Sequence, residues 1–263
     1  MPAPALVMLS PGSCDHRVNE FVHRLRVVLQ SLRPEVEVNA AFIGGCLPNG
    51  VQVVSRLLAR GVAEVVFVPL PLTSAVEHGP AVNAAIDRVR AAHPGLKLAV
   101  ARPIGHEAPL LKALDARLRH ALISSRASEL DALVLSAAGP ADAQGGALLA
   151  RRARLWGSHH RLPCAAALSP EPGAGIAQAI AELRRQGRRH IAVGSLYLGG
   201  GPFYIAQARQ AWRHGAVAVS APIGADPAVL DMVWARYSFA AMELLDIDSM
   251  ITADPVDLAQ VGS

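Results

Sequence analysis

Leu6-Val7-Met8-Leu9-Ser10-Pro11-Gly12-Ser13-Cys14-Asp15 lies over Leu133-Val134-Leu135-Ser136-Ala137-Ala138-Gly139-Pro140-Ala141-Asp142, so the chain writes one half-protein twice. Each stretch is an apolar run of strand length that breaks into a loop at a glycine, the opening of a βα unit. Gly12 over Gly139 sets an offset of 127. Further on, Arg60-Gly61 and an apolar run ending Leu70-Pro71-Leu72 lie over Gln186-Gly187 and a run ending Leu196-Tyr197-Leu198, at offset 126. The clearest block is the third. Pro103-Ile104-Gly105, Leu111 and Ala116-Arg117 lie over Pro222-Ile223-Gly224, Leu230 and Ala235-Arg236, at offset 119. Three blocks in one order indicate an internal duplication, and the drop in offset makes the second copy seven residues shorter between its third and fourth strands.

Working outward, short β-branched or Leu-rich runs alternate with longer segments of helical period, the pattern of an α/β fold with parallel sheets. The first half has expected strands near 5–10, 36–42, 63–70 and 97–102 and helices near 16–32, 49–60, 79–92 and 107–123. The second has strands near 131–137, 163–168, 189–196 and 216–220 and helices near 144–159, 174–186, 203–213 and 226–245. Two similar lobes follow, residues 1–123 and 131–245, each a four-stranded parallel sheet flanked by helices. Residues 124–130 form the linker, and 246–263 an acidic, aperiodic tail or strap.

A chain of 263 residues is comfortable for two lobes, each able to bury a core. Hydrophobic content is 52%, yet only 4% is aromatic, and Pro, Gly, Arg or Asp interrupts each apolar stretch short of membrane-spanning length. Met1-Pro2-Ala3-Pro4 lacks the basic start of a signal peptide, and three cysteines give no disulfide framework. The expectation is a cytoplasmic protein with no membrane partner, monomeric or homodimeric. Net charge is +4, but the arginines spread along helices without interleaved aromatics, which favours an anionic small molecule over nucleic acid.

Open parallel sheets bind ligands beyond the carboxyl ends of their strands, at the point where neighbouring connections leave to opposite faces. With the first strand central, that crevice lies between the loops 11–16 and 71–79, matched in the second half by 138–142 and 199–204. Glu77-His78 sets a carboxylate beside an imidazole there, a pair that can bind a divalent metal or relay protons. Ser13, Cys14, Asp15 and His16 offer further donors, although Asp15 also suits a helix N-cap. Gly199-Gly200-Gly201 lacks the Lys-Ser/Thr of a phosphate loop and is read as a loop needing unusual backbone angles, near a flat ligand. His159-His160 closes an expected helix, where the dipole favours cations. No Cys pair, His-Glu-x-x-His or Gly-x-Ser-x-Gly is present, which argues against common zinc proteases and α/β hydrolases.

The duplicated lobe, the loop ending Gly12-Ser13, the loop after Val68-Pro69-Leu70 and the paired Pro-Ile-Gly blocks together resemble the sirohydrochlorin chelatase family, most of all its two-lobed actinobacterial members. The resemblance covers the chain to about residue 245. It implies ATP-independent insertion of ferrous iron or cobalt into a tetrapyrrole for sirohaem or cobalamin synthesis, with the metal as substrate and no nucleotide. In that family the first loop reads His-Gly-Ser, and a second His sits in the strand-3 loop. Here Pro11 stands at the first position and Glu77 or His78 at the second. The implied site comprises Glu77 and His78 as catalytic groups, with His16 beside them as metal ligands. Gly12, Ser13, Gly200, Gly201 and Tyr204 would then lie against the macrocycle, and Arg17 and Arg102 are candidates for its carboxylates. The loss of the first His leaves an alternative, a non-catalytic tetrapyrrole or metal carrier. A small-molecule binder of periplasmic-binding shape is the third reading, disfavoured by the missing signal peptide.

Overall fold

The computed structural model describes residues 3–11, 16–72, 78–105, 107–139, 143–169, 171 and 173–252. Eight strands and eight helices alternate among them. The first half comprises β1 (Ala5–Pro11), α1 (His16–Leu32), β2 (Val38–Ile43), α2 (Gly50–Leu58), β3 (Glu64–Pro69), α3 (Pro80–Ala92), β4 (Lys97–Val100) and α4 (Ala108–Ser124). The second comprises β5 (Ala132–Ala138), α5 (Ala143–His160), β6 (Cys164–Ser169), α6 (Ala174–Arg185), β7 (Ile191–Leu196), α7 (Pro202–Arg213), β8 (Ala218–Val219) and α8 (Pro227–Thr252). Two all-parallel sheets result, ordered β2-β1-β3-β4 and β6-β5-β7-β8. Leu6 pairs with both Val38 and Val66, and Leu133 with both Cys164 and Ala192, so β1 and β5 are the central strands. The two α/β lobes expected from the duplication are therefore present.

A central parallel strand is covered on both faces and reads as a continuous apolar run. In β1, alternate residues face opposite ways: Ala5, Val7 and Leu9 pack with α2 and α3 through Val53, Leu57, Val82 and Ile86, whereas Leu6 and Met8 face a larger core shared by both halves. The outer face of the second sheet is likewise closed by α6 and α7, through Ile176, Ile180 and Ala211.

The shared core holds a feature that helical period alone does not disclose. α4 ends the first repeat in sequence but packs on β7 and β8, and α8, which ends the second repeat, packs on β3 and β4. Each half lends its last helix to the other half's sheet. Leu110 and Leu114 of α4 are fully buried with Leu133 and Ala192, and Val233, Trp234 and Tyr237 of α8 are buried with Val66 and Ala99. The crossovers are built alike. Ile104 donates its N–H to Pro69 O (3.1 Å) and Ile223 donates to Tyr197 O (2.8 Å), and both side chains are fully buried. Gly105 and Gly224 follow with φ of 66° and 75°, the left-handed region that favours glycine.

Three details differ from the sequence reading. β8 is two residues long and β4 four, because the chain leaves each sheet edge early to enter the crossover. α8 continues to Thr252, past residue 245, into the segment expected to be a tail. None of Gly199, Gly200 and Gly201 takes a positive φ. The reason for Gly199 is space: a Cβ there would stand 3.2 Å from the Phe21 ring. No described helix is long and apolar enough to cross a membrane.

Candidate functional site

β1, β3, β5 and β7 all point their carboxyl ends toward one cavity of about 320 Å³ between the lobes. Ser10, Pro11, Leu70, Pro71 and Leu72 line it from the first sheet and Ala138, Leu196, Tyr197 and Leu198 from the second; Phe21 of α1 and the 199–204 loop complete it. This is where the switch-point argument places the ligand of each sheet. The volume lies at the lower end of small-molecule sites and the wall is mainly apolar, as such sites usually are. Among the described residues, no Lys or Arg lines it. Arg102 is exposed and outside the lining, and the side chain of Arg17 is not described.

The sequence holds five Phe, three Tyr and three Trp, and four of these aromatics, Phe21, Tyr197, Phe203 and Tyr204, meet at this one cavity. Tyr197 and Tyr204 stack edge to face with centroids 6.2 Å apart. Burial pushes the Tyr197 phenol up to about 12, partly offset by its contact with Ser136 Oγ at 3.5 Å, and burial also raises Tyr204. Both therefore stay protonated at neutral pH. Tyr204 presents a flat neutral ring and a hydroxyl to the cavity, not a phenolate for a metal. Of the expected substrate-contacting residues, Gly201 and Tyr204 line the cavity; a Cβ on Gly200 would meet nothing within 4 Å, so that glycine is open to approach. Phe21, Tyr197 and Leu198 were not singled out as contacts by sequence reasoning. For Tyr197, next after β7, the signal was the scarcity of aromatics, which makes one at a strand end informative.

His78 lies just before α3, half-buried, with Nε2 2.9 Å from the Ala101 carbonyl oxygen. A carbonyl only accepts, so Nε2 carries a proton, and in the neutral imidazole the lone pair is on Nδ1. That is how a metal-binding or proton-accepting imidazole is usually fixed, its second nitrogen tied to a backbone carbonyl. His78 is not part of the cavity's described lining. Gly12, Ser13 and Glu77 lie outside the described residues; of His16, only the backbone at the start of α1 is described. Pro11 ends β1 opposite Ile43, exposed, with no side-chain donor to offer.

Residues 5–121 match the family model for CbiX. The match spans the N-terminal lobe, which is similar to CbiX. Solved structures match the two-lobed whole. The sirohydrochlorin chelatase SirB from Bacillus subtilis subspecies spizizenii, in complex with cobalt, superposes with a TM-score of 0.71 at 16% identity, over 92% of this chain and 96% of that one. SirB from Bacillus subtilis with Fe3+ gives 0.72 at 16% identity, over 93% and 98%. DR2241 from Deinococcus radiodurans, a multi-domain protein with structural similarity to chelatases, gives 0.61 at 18% identity, over 90% of this chain and 55% of its own. No curated protein sequence matches the chain. The CbiX match over residues 5–121 and the structural likeness of the whole to sirohydrochlorin chelatases bear out the resemblance read from the repeats.

Proposed function

We propose that this CbiX-lobed protein is a metal chelatase that inserts Fe2+ or Co2+ into sirohydrochlorin, working in the reducing cytosol that its free Cys46 and Cys164 suit. The observation that carries the reading is the aromatic cavity between the lobes, where the carboxyl ends of the first and third strands of both sheets converge. Phe21, Tyr197, Phe203 and Tyr204 offer a flat macrocycle an aromatic wall, face-on from some rings and edge-on from others since Tyr197 and Tyr204 stand at 64°, and Gly200 leaves open space for close approach.

Insertion requires that M2+ lose water, meet the ring nitrogens and displace two pyrrole protons, with no redox change and no nucleotide. The imidazole Nδ1 of His78 is a lone pair held ready for that step, as metal ligand or proton acceptor. Glu77, adjacent in sequence, supplies a carboxylate for the other role. Mixed nitrogen and oxygen sets suit both metals. The excess of arginine over the whole chain favours a polyanionic substrate, whose carboxylates extend past the apolar wall.

Pro11 favours a second reading, a carrier that holds the tetrapyrrole without metallating it, since the end of β1 has no imidazole to share the metal. Anaerobic mixing of the protein with sirohydrochlorin and Fe2+ or Co2+, followed by absorbance, separates the two. The chelatase reading expects a rate above the uncatalysed reaction that falls in Glu77→Ala and His78→Ala. A spectral shift on binding with no gain in insertion rate would establish the carrier instead, and no shift at all would overturn both.

A further inference from the structure

Asp115 of α4 meets the C-terminal turns of α5. Its Oδ1 accepts from Trp156 Nε1 at 2.6 Å and lies 2.8 Å from His160 Nε2. The neighbouring His159 ring stands 4.9 Å from that of His160, at 79°. One ligand atom from each of Asp115, His159 and His160 can be chosen so that all lie within 4.8 Å of one another. We propose that Asp115, His159 and His160 form a second metal site, for a divalent transition ion of the Zn2+, Co2+ or Ni2+ class, separate from the cavity between the lobes.

Two imidazole nitrogens and one carboxylate oxygen are the donor set these borderline ions take, with a fourth position left open. Donors on a tetrahedral ion sit roughly 3.4 Å apart, so side-chain adjustments of about an ångström would close the triad. The carboxylate is already oriented. The Trp156 N–H fixes Oδ1, the role that outer hydrogen bonds play around metal ligands, and leaves Oδ2 to turn toward the ion. His160 and Asp115 are largely buried, with side chains 27% and 13% exposed, whereas His159 is exposed and free to swing in. A plain ion pair at a helix end would employ His160 and Asp115 alone; it gives no part to His159.

The open side of the triad faces a cavity of about 590 Å³ whose lining includes Asp115 and His159 together with Lys112, Arg119 and Arg152. Three cations weaken attraction for a bare divalent ion and favour an anion as its fourth ligand. The ligand class is thus a divalent transition metal accompanied by a small carboxylate or phosphate. None of the three donors lines the cavity between the lobes, so occupancy of one site does not require the other.

Titration of the full chain with Co2+ alone tests the assignment. Trp156 stands 5.8 Å from His160, close enough for the open-shell ion to quench its fluorescence. Saturable quenching is expected, weakened at least about tenfold by His159→Ala and by Asp115→Asn, and retained in His78→Ala. His159 is exposed, so its variant keeps the test valid should Asp115→Asn fail to fold. Equal quenching in His159→Ala and parent would overturn the proposal, and loss of quenching in His78→Ala alone would assign the ion to the site between the lobes.

Discussion

Pro11 sits at the residue position on which the chelatase reading is weakest, and its surroundings make that weakness testable. It ends β1 with its side chain exposed, so Pro11→His should change stability by less than about 0.5 kcal/mol. If the site uses paired imidazoles across the first lobe's two loops, that variant should metallate sirohydrochlorin at least about tenfold faster than the parent; an unchanged rate would mean that the end of β1 plays no part in handling the metal. Burial at single residues also sets an alkaline limit. Desolvation raises Cys164 from 9.0 to about 12 and Tyr197 from 10.0 to about 12. Both are neutral when protonated, and the folded chain holds those protons longer than the unfolded one. Their contribution is complete below pH 9, declines once the unfolded groups ionise and is lost through pH 12. Denaturant midpoints should therefore fall from pH 9 toward pH 11, and more shallowly in Cys164→Ala/Tyr197→Phe; equal slopes would assign the decline to other groups.

At the scale of elements, strand and helix positions were legible because each follows from a local period, and the βα alternation leaves few arrangements open. The partner of each helix was not. Leu110, Leu114 and Leu118 mark an apolar face on α4, but nothing in that spacing says whether it covers its own sheet or the other, and the repeat boundary at residue 123 points to the wrong one. The clue lay in the clearest repeat block. Pro-Ile-Gly is the crossover itself, and the Ala-Arg that follows places Arg117 on Ile223 O (2.9 Å) and its counterpart Arg236 on Glu107 (2.8 Å), each tying an exchanged helix to the opposite crossover. The crossover glycine carries a definite expectation. A Cβ on Gly224 would meet only Arg117, at 3.8 Å, so Gly224→Ala should cost about 1–2 kcal/mol through its positive φ alone. Gly194→Ala has a different cause: its Cβ would fall 2.4 Å from the Trp156 ring, which reaches over β7 from α5, and repacking there should cost about 1–3 kcal/mol. Urea unfolding of both variants checks the pair. The site was legible only in part for a related reason: Gly201 and Tyr204 follow from strand order, whereas Phe21 reaches the cavity from α1 by tertiary packing that no local pattern encodes.

For the whole molecule, helix exchange means that neither repeat is a closed packing unit, and the duplication becomes a statement about assembly. A fragment of residues 1–123 would lack Val233, Trp234, Tyr237 and Leu244 over β3 and β4, each worth about 1.5–3 kcal/mol when buried. It would also carry α4 with its apolar face turned toward a sheet that is no longer there. Since α4 and α8 are repeat equivalents, the α4 of a second copy can take the place of α8, and the returned helix satisfies the first copy in the same way. That reciprocal exchange closes a twofold dimer and reproduces the pseudo-symmetry the full chain builds within itself. The 1–123 fragment should therefore sediment as a dimer, with a thermal midpoint that rises with protein concentration, whereas the midpoint of the full chain should gain nothing from a partner at the α4 and α8 faces. Leu114→Asp, at the centre of the exchanged face, should leave the fragment unfolded at any concentration. A monomeric fragment with cooperative, concentration-independent unfolding would show instead that α4 can fold back onto its own sheet, and that the exchange in the full chain is a choice between two packings of similar energy.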